Sequence, residues 1–223
     1  MDAQLLYHDP TIAVAVKPYG VLSEHHEGSG LPDLIAKQLK RLPEEVYPVH
    51  RLDRDAGGVI VYALTKQAAA ALSEIISGRK MEKRYLAAVE GVPQETESTW
   101  RDQLFWDSRR HKAFRVDRIR RGVREAILHE KVLETKDGLT LLAIRLETGR
   151  THQIRCQCAS RGMPIAGDRR YGGHSPCKGI GLWSVEIAFP HPVSGKDMVF
   201  QAPPPLCAPW DRFTLLHPKQ DET

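Results

Sequence analysis

His50-Arg51-Leu52-Asp53-Arg54-Asp55-Ala56-Gly57-Gly58 runs directly into Val59-Ile60-Val61-Tyr62-Ala63-Leu64. The second half is apolar throughout, too uniformly for a strand with one wet face. It therefore reads as a strand buried on both faces, near the middle of a sheet. The first half is a polar loop, punctuated by glycine, that feeds this strand. It sets one carboxylate, Asp53, between two guanidinium groups. Flanking positive charge favours the ionised acid, so Asp53 is expected to be an anion at neutral pH. Such a group attacks an electrophile or steadies a cation, and donates protons poorly. Arginine adds a planar fork suited to phosphates and bases. Loops mounted on a rigid strand are where scaffolds carry chemistry. The stretch reads as an anionic catalyst within a nucleic-acid-binding surface; a surface turn whose acid is neutralised by Arg51 and Arg54 is the plainer alternative.

Working outward, Thr11-Ile12-Ala13-Val14-Ala15-Val16 reads as another buried strand, ending at the turn Lys17-Pro18-Tyr19-Gly20. Residues 32–40 form a helical pattern with Pro32 in the first turn and lysines near the end. Thr65 is placed to cap a helix over 66–77, with an alanine-rich middle and Gly78 at its end. Strands are expected at 84–90, 124–134 and 139–147. A short helix is expected at 152–161, capped by Thr151 and stopped by Gly162. A last hairpin joins 183–189 to 198–201 through Pro192-Val193-Ser194-Gly195-Lys196. Strand exceeds helix and no linker interrupts the chain, so residues 1–223 read as a single α+β domain.

The 223 residues carry a net charge of +4, and its placement matters. The window 109–124 holds eight Lys or Arg and one Asp, a local excess of seven, so the remainder is acidic on balance. A polyanionic partner is the natural reading of such a segment. Four cysteines without a regular framework suit reduced thiols and a cytoplasmic location. No signal-peptide pattern opens the chain, and no apolar run approaches the ~18 residues a membrane span needs.

Metal readings fail on spacing. Asp53 to Gly58 half-matches a calcium loop, but the fifth position is Gly57 and the twelfth, where a bidentate glutamate belongs, is Leu64. Cys156 and Cys158 lie two apart on an expected helix, pointing in different directions, and no Cys-x-x-Cys pair exists to hold zinc. No metal site is expected, which also removes a metal-dependent nuclease built on Asp53 and Asp55. Gly149-Arg150-Thr151-His152-Gln153-Ile154-Arg155 crowds polar donors into a helix start, with His152 and Arg155 on one face. In Lys83-Arg84-Tyr85-Leu86, alternation puts Lys83 and Tyr85 on one face and Arg84 on the other.

Together these segments resemble the RluA-type family of RNA pseudouridine synthases. The resemblance is carried, in the family's order, by Lys17-Pro18-Tyr19-Gly20-Val21-Leu22, His50-Arg51-Leu52-Asp53 with its glycines and strand, Lys83-Arg84-Tyr85-Leu86 and Gly149 to Arg155. Gly162 to Asp168 with Tyr171-Gly172 completes it. It implies a mixed, mainly antiparallel sheet with flanking helices and a central RNA-binding cleft. It also implies a cofactor-free isomerisation of uridine in structured RNA, a ribosomal or transfer RNA stem-loop; a monomer is expected, with the sequence leaving the oligomeric state open. By motif, Asp53 is the catalytic carboxylate, Arg155 its ion-pair partner, and Tyr85 the residue that lies on the uracil and takes its carbon 5 proton. Arg51 fills the gap left by the flipped nucleotide, and Lys83 and His152 join it as RNA-binding residues. The basic segment, with Arg118, Arg120 and Arg121, becomes an RNA-gripping insert between strands, and target choice falls to loops such as 24–31 and 100–124.

Two departures stand out. Where the family commonly shows Thr-Ser-Gly, this chain has Ala56-Gly57-Gly58, so two hydroxyls are lost and a looser loop is expected. The N-terminal RNA-binding module of many relatives is also not expected here. A catalytically silent RNA-binding protein on the same scaffold is the rival function, opposed by the presence of Asp53, Tyr85 and Arg155.

Overall fold

The computed structural model describes residues 2–216, which fall into two compact units. The first comprises residues 2–83 together with 183–204, and the second residues 84–182 and 205–216. The chain begins with β1 (Gln4–His8), β2 (Ile12–Lys17), α1 (Leu31–Gln38), β3 (Tyr47–Pro48), β4 (Gly57–Ala63) and α2 (Lys66–Ser77). It crosses into the second unit along β5 (Glu82–Glu90). There it forms β6 (Glu97–Asp107), β7 (Lys112–Arg115), β8 (Val123–Lys136), β9 (Leu139–Leu146) and α3 (Gln153–Ala159). It returns along β10 (Leu182–Pro190) and adds β11 (Asp197–Gln201).

In the first unit β4 is central. It is antiparallel to β2 along Ile12↔Ala63 to Lys17↔Gly58, and parallel to β10 at Trp183↔Gly57 and Ser184↔Gly58. Every residue of β4 is buried, as its uniform apolarity predicts. β1 flanks β2, β3 flanks β4 and β11 flanks β10, all antiparallel. α2 starts where the sequence places it: Thr65 Oγ1 accepts from Ala68 N at 3.1 Å, and Leu72 is fully buried. α1 is also present, with Pro32 at its start and Asp33 turned back to accept from the N–H groups of Gly30 and His26. Those bonds brace the loop just before it.

In the second unit the strands run β5-β9-β8-β6-β7, all antiparallel. Its core includes Leu86, Leu128, Leu141, Leu142, Ile165, Trp210 and Phe213. The expected mixed, mainly antiparallel α+β class holds. Two local expectations do not. The stretch 100–124 is no loop: residues 97–107 and 112–115 are strands, leaving 116–122 as the connection to β8. Nor does Thr151 cap α3. The N-cap residue is His152, in the left-handed region at φ +54°, with no side-chain cap bond.

Candidate active site

The loop that carries Asp53 is held from three sides by the first unit. Lys17 is fully buried, and its Nζ donates to the carbonyls of Pro18, Val21 and Arg54 at 3.0, 2.8 and 3.0 Å. One ammonium thus ties the Lys17-Pro18-Tyr19-Gly20 turn to the residue after Asp53. Burial pushes the Lys17 amine down to about 8, against the pull of the Asp53 and Asp55 carboxylates. Ser23 pins the residue before Asp53, its Oγ donating to Leu52 O at 2.9 Å and accepting from Leu52 N at 3.0 Å. Tyr62, buried on β4, donates to Ser23 O at 3.0 Å. A hydroxyl network reaching in from residues 23 and 62 thus fixes the loop, although positions 56 and 57 carry no hydroxyl.

The Gly57-Gly58 pair has a steric cause. A β-carbon on Gly57 would lie 2.3 Å from the Trp183 ring, and one on Gly58 would lie 2.2 Å from Ser184 O. Gly58 also sits at φ +113°, where side chains are strained. Trp183 therefore occupies the space a residue-57 side chain would need, its Nε1 anchored on Ala202 O at 2.9 Å. At Gly57 and Gly58 the loop backbone thus packs directly against Trp183 and Ser184, where a looser loop was expected.

The neighbouring arginines are occupied elsewhere. Arg51 Nη1 donates to Glu24 Oε1 at 2.9 Å, both side chains being exposed, and Arg54 Nε donates to Gly20 O at 3.1 Å. His50 Nε2 accepts from Val61 N at 3.2 Å, which leaves its proton on Nδ1, a buried atom without a hydrogen-bond partner among the described residues. Burial, reinforced by the Lys83 ammonium, holds His50 well below the ordinary imidazole range. Burial likewise lowers Lys83.

The second unit holds Tyr85 and Arg155. Tyr85 is a buried residue of β5, paired with Ile144 of β9. Arg155 is 4% exposed and grips Asp168 through two bonds, Nε to Oδ2 at 2.6 Å and Nη2 to Oδ1 at 2.9 Å. Such a bidentate pair fixes the guanidinium plane. Its Nη1 donates to His152 Nε2 at 3.1 Å, so the other ring nitrogen carries the proton towards Tyr171 Oη at 3.1 Å. Tyr171 in turn accepts from Ala113 N at 2.7 Å and lies 5.1 Å from the Arg155 guanidinium carbon. Trp106 meets the His152 ring edge-on at 5.1 Å. The left-handed backbone of His152 aims its ring into this cluster, a strain of order 1 kcal/mol that the surrounding bonds hold.

Gln153 explains why the loop before α3 is built as it is. Its Oε1 accepts from Thr148 Oγ1 at 2.8 Å and Arg150 N at 3.0 Å, and its Nε2 donates to Ile127 O at 3.1 Å. Lys17, Ser23, Gln153 and Asp168 were not singled out from the sequence as site residues. All four lie in or beside the motifs, which was the one available signal. Arg118, Arg120 and Arg121 are exposed in the second unit, beside the β6–β7 hairpin.

Comparison with known proteins identifies the family. A family model described as RNA pseudouridylate synthase matches residues 11–160, reaching from the first unit into the second. The ribosomal large subunit pseudouridine synthase D of Xanthomonas campestris is 36% identical, over 90% of this chain and 66% of its own length. The uncharacterized RNA pseudouridine synthase YhcT of Bacillus subtilis is 33% identical, over 92% of this chain and 69% of its own. This chain thus spans about two thirds of the length of these relatives. Among solved structures, human RNA pseudouridylate synthase domain containing 1 superposes with a TM-score of 0.78 at 22% identity, covering 96% of this chain and 86% of that one. At that identity the match speaks to the fold. The chain belongs to the RluA-type family of RNA pseudouridine synthases, isomerases that convert uridine to pseudouridine in RNA.

Proposed function

We propose that this chain isomerises uridine to pseudouridine in large-subunit ribosomal RNA. The observation that carries the reading is the Asp53 loop, pinned by Lys17 and Ser23 within the stretch that the family model matches. The ribosomal substrate follows the name of the Xanthomonas relative. Target uridine stacked or paired in a helix hides the atoms to be exchanged, so the nucleotide must leave the stack, with Arg51 taking its place. The exposed Arg51–Glu24 pair suits this, because a solvated ion pair exchanges readily for a phosphate.

In the reaction the bond from ribose carbon 1 to uracil nitrogen 1 breaks, the base turns, and ribose carbon 1 bonds to carbon 5. The carbon 5 proton leaves and nitrogen 1 gains a proton, so atoms and electrons balance without oxidant or reductant. Asp53 supplies the carboxylate that attacks or promotes the glycosidic break. Tyr85 lies on the uracil and takes the carbon 5 proton. Arg155, its plane set by Asp168, holds the Asp53 carboxylate. Lys83, His152, Arg118, Arg120 and Arg121 contribute RNA contacts. The enzyme works as a monomer in the cytoplasm, and residues 1–223 act as one catalytic domain.

The test is incubation of the protein with ribosomal and transfer RNA from a strain lacking the gene, followed by pseudouridine mapping. New pseudouridine in the large ribosomal RNA supports the proposal. New pseudouridine in transfer RNA alone moves the substrate, and none in either defeats the enzyme reading in favour of a silent RNA binder.

A further inference from the structure

The β6–β7 hairpin has two unlike faces. One face, with Leu104 and Ala113, joins Cys156 and Tyr171 in a buried cluster against which Trp106 packs. The other carries Phe105 and Phe114, directly opposite each other in the strand register and both half-buried. Cations surround these rings. The Arg120 guanidinium carbon lies 4.7 Å from the Phe105 centroid, and Arg110 and Lys112 each lie 5.8 Å from that of Phe114. Gly122, at φ +87°, turns the 116–122 connection back over Phe105, and a β-carbon there would already touch the ring at 3.4 Å. In that connection Ile119 is 80% exposed, between Arg118 and Arg120.

Two neighbouring phenyl rings rimmed by arginine match the chemistry of an unpaired nucleobase with its flanking phosphates. Every base offers a flat face to an aromatic ring, and guanidinium groups neutralise the backbone beside it. A paired, stacked base offers no free face. Charge alone would fit any polyanion; the paired rings are what select for bases.

The hairpin is also fastened to the Arg155 cluster. Lys112 Nζ donates to Arg170 O at 2.7 Å, and Arg170 Nη1 donates to the carbonyls of Arg110 and His111 at 3.0 and 3.1 Å. Tyr171 Oη receives Ala113 N. A base held on Phe105 and Phe114 would therefore be held in fixed register with Asp168 and Arg155.

We propose that this outer face, Phe105 and Phe114 with Arg110 and Arg120, is a stacking platform for an unpaired base of the substrate RNA. The inference rests on the RNA-modifying reading above and adds base stacking to what charge alone would supply.

The full chain, wild type and with Phe105→Leu or Phe114→Leu, is titrated with a short single-stranded RNA, its annealed duplex, and heparin as a polyanion without bases. Circular dichroism and thermal unfolding check the fold of each variant. Each leucine variant is expected to bind the single strand about tenfold more weakly, with an unchanged salt slope and duplex and heparin affinity within about twofold. Unchanged single-strand affinity, or an equal loss on all three ligands, overturns the platform. Photocrosslinking of wild type with RNA containing 4-thiouridine gives an independent reading: crosslinks should map to residues 103–122, and their absence there counts against it. Wild-type protein that modifies uridine while the leucine variants bind normally removes the platform alone. Wild type that neither binds nor modifies RNA removes the underlying reading.

Discussion

Asp53 sits between two fixed points, Ser23 on Leu52 before it and Lys17 on Arg54 after it. Of the two, Lys17 is the one that a change of pH can test. As an ammonium it has three N–H donors for three carbonyls; as an amine it has two. With the folded value near 8, catalysis should fall as pH rises through about 8, read from the pH–rate profile. Stability moves the other way. The folded chain binds this proton more weakly than the unfolded chain, whose lysine has the ordinary value of 10.5. Between those values the unfolded state holds more protons, so this group makes unfolding harder as pH rises. Lys17→Met leaves three carbonyls without their donor and should cost about 2–4 kcal/mol in urea unfolding. Gly57→Ser should cost about 1–3 kcal/mol by crowding Trp183, and Trp183→Leu should recover part of that loss in a double-mutant cycle. Asp53 was legible because its neighbours form a dense local motif. Lys17 and Ser23 were not, because their importance lies in backbone carbonyls brought together from residues 18, 21, 52 and 54.

Among the elements, α2 and β4 could be read directly. Thr65, the alanine run and Gly78 each have local reasons to start, continue and stop a helix, and β4 has a single uniform environment. β6 does not show in the sequence as a strand because its buried face includes a charge. Asp102 faces inward and is satisfied by Arg115 at 3.1 Å, Arg161 at 2.8 Å and Gln157 at 2.8 Å, which breaks the apolar alternation a strand usually shows. The basic residues around β7 added to the impression of a loop. At α3 the sequence pointed to Thr151 as cap, but the Gln153 side chain already satisfies the preceding loop and His152 turns left-handed to reach Arg155. The Arg155–Asp168 pair is where this element is most vulnerable. Asp168→Ala removes the two-bond grip on a buried guanidinium and should cost about 3–5 kcal/mol by urea unfolding. Arg155→Lys should recover little activity, since a point charge cannot make the two-bond grip.

Over the whole molecule, the asymmetry of charge is plain in the sequence: the excess in 109–124 exceeds the net +4 of the chain. Replacing Arg118, Arg120 and Arg121 with glutamine should weaken RNA binding and flatten its salt dependence by up to about 2–3 in the log–log slope. A slope equal to wild type would show that these residues make no phosphate contact. The mainly antiparallel α+β class was legible because strands with one environment each announce themselves. The two compact units leave no mark in the sequence, because no change of composition falls at residues 83–84 or 182–183. The proposed chemistry turns on one carboxylate, and one comparison tests it. Wild type and Asp53→Asn, both shown to fold, are incubated with ribosomal RNA from a strain lacking the gene, and pseudouridine is counted by mass spectrometry. New pseudouridine is expected with wild type and none with Asp53→Asn; equal conversion by the two proteins would contradict the role of Asp53.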